Sequence, residues 1–110
     1  MSIKTIRQQQ MQHAYNNINT IDESKLKSFG DVLRKNSIVH GLIYAKKKDV
    51  AIYNAIEKWV KEESFYKDQF INNNDLIEKL LTMDSILLMN ITEDCLLYVQ
   101  EMIFAAIAKK

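Results

Sequence analysis

CLLYVQEMIFAAIA, residues 95–108, is apolar at every position except Gln100 and Glu101. The stretch is shorter than the roughly 20 apolar residues that cross a bilayer, so it reads as a helix of a water-borne domain. A helix that is apolar all round must be covered on all sides. It is therefore either the central helix of a bundle or a helix that carries a partner interface. Thr92, with Glu93 and Asp94 in the first turn behind it, reads as the opening of this last helix.

Upstream, the apolar residues recur at helical steps. Ile3, Ile6, Met11, Ala14, Tyr15, Ile18 and Ile21 form one stripe, which predicts a first helix over residues 3–20. Asp22, Glu23 and Ser24 supply capping chemistry before Leu26, Phe29, Val32 and Leu33, and that helix ends near Asn36 and Ser37. Gly30 is placed to kink it or to begin it afresh. Ile38, Val39, Leu42, Ile43 and Ala45 continue helically into Lys46, Lys47 and Lys48, cations where a helix C-terminus favours them, with Asp49 as the next cap. Ile52, Tyr53, Ile56, Trp59 and Val60 mark another amphipathic helix. The run 72–74 with Asp75 is the strongest loop and cap signal, and Leu76, Ile77, Leu80 and Leu81 form a short helix before Asp84 and Ser85. The expected fold is all-α, one compact helical domain over residues 1–110 with five to six helices.

Composition agrees. With no proline and two glycines in 110 residues, the chain has little of the turn chemistry that multi-stranded sheets require. The start MSIKTIRQQQ lacks the apolar core of a secretory signal and Cys95 is the lone cysteine; both point to a cytoplasmic protein without a disulfide framework. The net charge is only +1, yet residues 1–48 hold nine bases against three acids, and the remainder six against eleven. A bipolar chain of this kind suits one face toward a polyanion and another toward a protein neighbour, or head-to-tail stacking on copies of itself; chance grouping of solvated charges is the alternative.

The residues of catalysis do not converge in the pattern. His13 and His40 lie on different helices with no metal-ligand spacing around them; His13 reads as a surface residue and His40 as a partly buried or rim residue. Cys95 sits in an apolar series as a small core residue. Gly30 and Gly41 are too far apart for a phosphate loop. Glu62 with Glu63, and Glu93 with Asp94, are sequence neighbours that diverge on a helix and read as solvated or dipole-facing groups. Trp59 and the five methionines fall at core spacing. No enzyme, metal or cofactor is expected. What remains is the basic group Arg34, Lys35, Lys46, Lys47 and Lys48, which suits RNA phosphates or a solvated basic helix end. Contacts would be to the backbone rather than base edges, since no aromatic strand motif is present.

Four patches in order carry a family resemblance. Arg7, Gln8, Gln9 and Ala14 come first; Val32, Leu33, Asn36, Ser37, Ile38, Leu42, Ile43 and Tyr44 follow; then Ala55, Ile56, Trp59 and Val60; finally Leu80, Leu81, Met83, Asp84, Ser85, Thr92, Glu93, Leu96 and Leu97. This series resembles the small subunit of Cmr-type (type III-B) CRISPR RNA-guided effector complexes over nearly the whole chain. It departs at Gly30, where proline is usual, at Ser37, where glycine is, and at Leu88 and Met89, where an aromatic and an arginine are. The resemblance implies a non-catalytic helical bundle that repeats along a filament of backbone subunits and helps hold guide and target RNA, a neighbouring subunit doing the cutting. Its implied partners are other Cmr subunits, guide and target RNA, and copies of itself, with no membrane and no cofactor. By position, Arg34, Lys35, Lys46, Lys47 and Lys48 are the expected RNA-binding residues. Two other readings stay open: the small subunit of another CRISPR effector class, and a helical dimerisation module without RNA binding that uses the exposed part of residues 95–108. An enzyme would need His13 or His40 to converge with carboxylates in a pocket.

Overall fold

A computed structural model describes residues 5–18, 21–70 and 75–109. Among these residues six α-helices follow one another: α1 Ile6–Asn17, α2 Glu23–Lys35, α3 Ile38–Lys48, α4 Val50–Lys58, α5 Leu76–Leu81 and α6 Ser85–Ala108. Between α4 and α5 lie a π-helical turn, Trp59–Glu63, and a 3₁₀ turn, Lys67–Phe70. No strand occurs among the described residues, and the class is the all-α bundle that the sequence predicts. The expected helix ends at Ile3 and Thr20 and the loop signal 72–74 lie outside the described residues.

Short polar residues start these helices. Thr5 and Gln8 form a reciprocal capping box on α1: the Gln8 N–H donates to Thr5 Oγ1 at 3.1 Å and the Thr5 N–H to Gln8 Oε1 at 2.8 Å. Asp22, Asp75 and Asp84 cap α2, α5 and α6 by accepting the backbone N–H of Ser24, Glu78 and Leu87. Asp49 stands between α3 and α4 but makes no side-chain cap bond.

The last helix corrects the expected boundary. It opens at Ser85 behind Asp84, and Thr92 lies inside it. The Thr92 hydroxyl donates to the Leu88 carbonyl at 2.8 Å and accepts the Ile38 N–H at 3.1 Å. It thereby caps α3, whose own N-cap residue, Ser37, makes no side-chain cap bond. A residue type that favours N-caps is here spent on a different helix, 54 residues away in sequence.

Helix α6 is the hub, packing on α1, α2 and α3. Ile91, Cys95, Tyr98, Val99, Met102 and Ala105 are its buried hydrophobic residues, and they join Phe29, Leu33, Leu42, Ile56 and Trp59 in the core. Helix α2 runs antiparallel to α6: its C-terminal end leads to Ile38 beside Thr92, and Gly30 sits against Val99. Gly30 does not restart α2, which is continuous through it. The remaining side of α6 is uncovered, with Ile86, Met89, Leu97, Phe104 and Ile107 exposed. The helix is thus central and also presents an apolar stripe. The Cα radius of gyration, 13.2 Å, is close to the ~13 Å of a compact chain of this length.

Candidate functional site

Helices α2 and α3 form an antiparallel hairpin about the corner at Asn36 and Ser37. Near the corner Gly41 meets Leu33 and Phe29; at the open end Lys25 Nζ lies 3.8 Å from Asp49 Oδ2. With a rise of about 1.5 Å per residue, the eleven residues of α3 span roughly 16 Å. The five basic residues expected to act together are therefore split. Arg34 and Lys35 sit at the corner, while Lys46, Lys47 and Lys48 sit at the open end, joined there by Lys25.

Their partners differ as well. Arg34 donates to Asp31 Oδ1 at 3.0 Å, a surface pair worth about 0–1 kcal/mol. Lys46 stands 4.0 Å from Asp75 Oδ2 and 5.4 Å from the centre of the Tyr53 ring. Lys35, Lys47 and Lys48 are exposed and make no ion pair among the described residues. Lys25 escaped the sequence reading because it is 23 positions from Lys48; only the antiparallel return of α3 brings the two together. The signal was nonetheless present in two helices of similar length joined by a two-residue corner.

A second constellation, buried and polar, ties α1, the π turn and α6. Trp59 Nε1 donates to Asp94 Oδ2 at 2.9 Å and Gln10 Nε2 to Asp94 Oδ1 at 3.0 Å. Gln10 Nε2 also lies 3.2 Å from the Asp94 carbonyl oxygen. The Trp59 and Tyr98 rings stack with centroids 5.0 Å apart and planes 9° from parallel. His13 meets both rings edge-on, and a short hydrogen bond joins its Nδ1 to the Tyr98 hydroxyl. Nearby, the 3% exposed Glu101 carboxylate pairs with Arg7 at 3.1 Å.

Three sequence expectations are revised, two of them by this cluster. His13 is half-buried against aromatic rings rather than a surface residue, whereas His40 is exposed and bonds Ser37 Oγ at 3.1 Å. Asp94 is an acceptor for two other segments rather than a dipole-facing group in a first turn. Burial raises the Asp94 carboxyl above its ordinary value, against the lowering by Trp59 and Gln10. Burial lowers His13, with Glu63 opposing, Lys58 assisting and Glu62 opposing. His13 Nε2 has no hydrogen-bond partner among the described residues.

His13 also borders a polar cleft with Lys58, Glu62 and Glu63. Its Nδ1 is occupied by Tyr98, and no carboxylate among the described residues hydrogen-bonds its ring. The Cys95 thiol is fully buried and raised by that burial, which disfavours the reactive thiolate. Among the described residues, no group of three His, Cys, Asp or Glu side chains could hold a metal ion. No helix there is long and apolar enough to cross a membrane. Among the described residues the surface carries basic groups at both ends of the α2–α3 hairpin, a polar cleft beside His13 and an apolar stripe on α6. No protein-family model matches the chain, nor does any curated protein or solved structure.

Proposed function

We propose that this chain is the non-catalytic small subunit of a Cmr-type (type III-B) CRISPR effector complex. In it the bundle stacks beside backbone subunits and helps hold guide and target RNA. The observation that carries the reading is that many of the family-like residues hold positions on which the bundle depends, although Ile43, Tyr44, Leu81 and Leu97 are exposed. Ala14, Leu33, Ile38, Leu42, Ile56, Trp59, Val60 and Leu80 are all buried. Arg7 neutralises the buried Glu101, Asp84 caps α6, and Thr92 caps α3. These residues build the scaffold, while Lys46, Lys47 and Lys48 stay on its surface for phosphate contacts. The role is positioning, through charge held on rigid helix ends.

Co-expression with Cmr backbone subunits and a guide RNA tests this. The expected result is co-purification in one gel-filtration peak that also holds RNA. Elution of this chain alone, while the other subunits assemble, contradicts it. Assembly with the backbone of another effector class instead would keep the role and change the partner.

The α6 stripe favours a second reading, a helical dimerisation module. Leu97, Phe104 and Ile107 recur at helical steps and are 42%, 59% and 48% exposed, apolar groups on one face of the kind that partners cover. In that case the chain sediments as a tight dimer without RNA, and Leu97→Glu with Phe104→Glu returns it to a monomer.

A further inference from the structure

The open end of the α2–α3 hairpin contains a partly open cavity of about 180 Å³. Phe29, Ala45 and Ile52, each at most 2% exposed, form its inner wall. Tyr44 adds an aromatic side chain that is 39% exposed. Lys25, Lys48 and Asp49 bring charge to the same opening. An apolar wall, an aromatic residue and cations around a space smaller than the ~300–1,000 Å³ that encloses drug-sized ligands suit one flat heteroaromatic ring attached to an anionic chain.

We propose that this cavity takes a single unstacked base of an RNA strand. The base lies between Tyr44 and the wall made by Phe29, Ala45 and Ile52, and Lys25 and Lys48 hold the flanking phosphates. The Asp49 carboxylate, an acceptor only, faces the exocyclic amino group of the base. It thereby favours cytosine or adenine over uracil, whose carbonyl oxygen would meet the carboxylate. This gives the basic open end a contact with base as well as backbone, beyond the phosphate contacts expected of lysines. The inference rests on the proposed RNA role for the source of the base, whereas the cavity itself can be probed without RNA.

The test is NMR titration of the whole chain with cytidine monophosphate, uridine monophosphate and ribose 5-phosphate, following the Ala45 and Ile52 methyl signals. Cytidine monophosphate should shift both methyls and saturate. Ribose 5-phosphate should bind about tenfold more weakly for lack of the stacked ring, and uridine monophosphate about fivefold more weakly. Tyr44→Ala should abolish the shifts while leaving the rest of the spectrum in place, and Asp49→Asn should level cytidine with uridine, because an amide both donates and accepts. Equal binding of ribose 5-phosphate, or unmoved methyls at saturating nucleotide, overturns the base site. A parallel titration with single-stranded RNA separates the two claims: RNA binding with unmoved methyls sinks the cavity proposal and leaves the RNA role standing.

Discussion

Trp59 Nε1 donates a 2.9 Å hydrogen bond to Asp94 Oδ2 and so fastens the π turn to the middle of α6. Gln10 reaches the other oxygen of the same carboxylate from α1. One side chain thus joins three segments that are far apart in sequence. Asp94→Ala leaves the Trp59 Nε1 donor without an acceptor and Gln10 Nε2 with only the Asp94 backbone carbonyl. The expected loss of stability is about 1–3 kcal/mol, the cost of one unsatisfied buried group. Asp94→Asn keeps one acceptor oxygen and should cost about half as much. Urea unfolding of both variants checks the order; equal stability of Asp94→Ala and wild type contradicts the role.

The second expectation concerns pH. His13 is lowered from the ordinary 6.5 in the folded chain, first by burial, with Glu63, Lys58 and Glu62 as the facing charges and the Tyr98 hydroxyl on its Nδ1. Below pH 6.5 the unfolded chain then binds a proton that the folded chain resists. Stability is fully present above that pH and is lost as pH falls through the depressed folded value. Asp94 is raised and acts with the opposite sign, since the folded chain takes up its proton more readily, and its contribution is common to wild type and the His13 variant. Between pH 7 and pH 5.5 the urea midpoint of wild type should therefore fall, and that of His13→Phe should fall less. Parallel slopes would show that His13 does not govern this window.

The two glycines should respond oppositely to alanine. At Gly30 an added Cβ meets Arg34 and Val99 atoms at 3.7 Å, ordinary contact, so the helix-propensity gain prevails and Gly30→Ala should stabilise by about 0.5–1 kcal/mol. At Gly41 the same carbon would lie 2.4 Å from Leu33 Cδ2 and 3.3 Å from Leu33 Cγ. Leu33 is 1% exposed, so its side chain must shift within the packed core. Gly41→Ala should cost about 1–3 kcal/mol, and thermal melts of the two variants should move in opposite directions.

How far the sequence could be read follows from which partners were local. Helices α2 to α5 were legible from their apolar spacing, and α2 and α5 also from caps that lie within a turn, Asp22 with Ser24 and Asp75 with Glu78. The start of α6 was misread at Thr92 because Thr, Glu and Asp in a row look like a cap, whereas Thr92 serves Ile38 and Asp94 serves Trp59 and Gln10. Those are tertiary bonds, and periodicity does not report them. The basic cluster was legible in residue type but not in arrangement: Arg34 and Lys46 flank one hairpin in sequence, and the antiparallel packing of α2 on α3 sends them to opposite ends.

That separation makes the RNA reading quantitative. The direct measurement is affinity for single-stranded RNA and for a guide–target RNA duplex across a salt series. Wild type is compared with Lys46→Ala/Lys47→Ala/Lys48→Ala, with Arg34→Ala/Lys35→Ala, and with all five changes together, each first shown to be folded. Each phosphate contact contributes about −0.7 to the logarithmic salt slope on a single strand. The triple variant should therefore flatten the slope by about 2 and the double variant by about 1, with near-additive losses because the two groups do not touch. Binding that is steeply salt-dependent in wild type and lost in the five-residue variant is what the account predicts. Absence of RNA binding at low salt, alongside a tight wild-type dimer, contradicts it and makes the α6 stripe the functional surface.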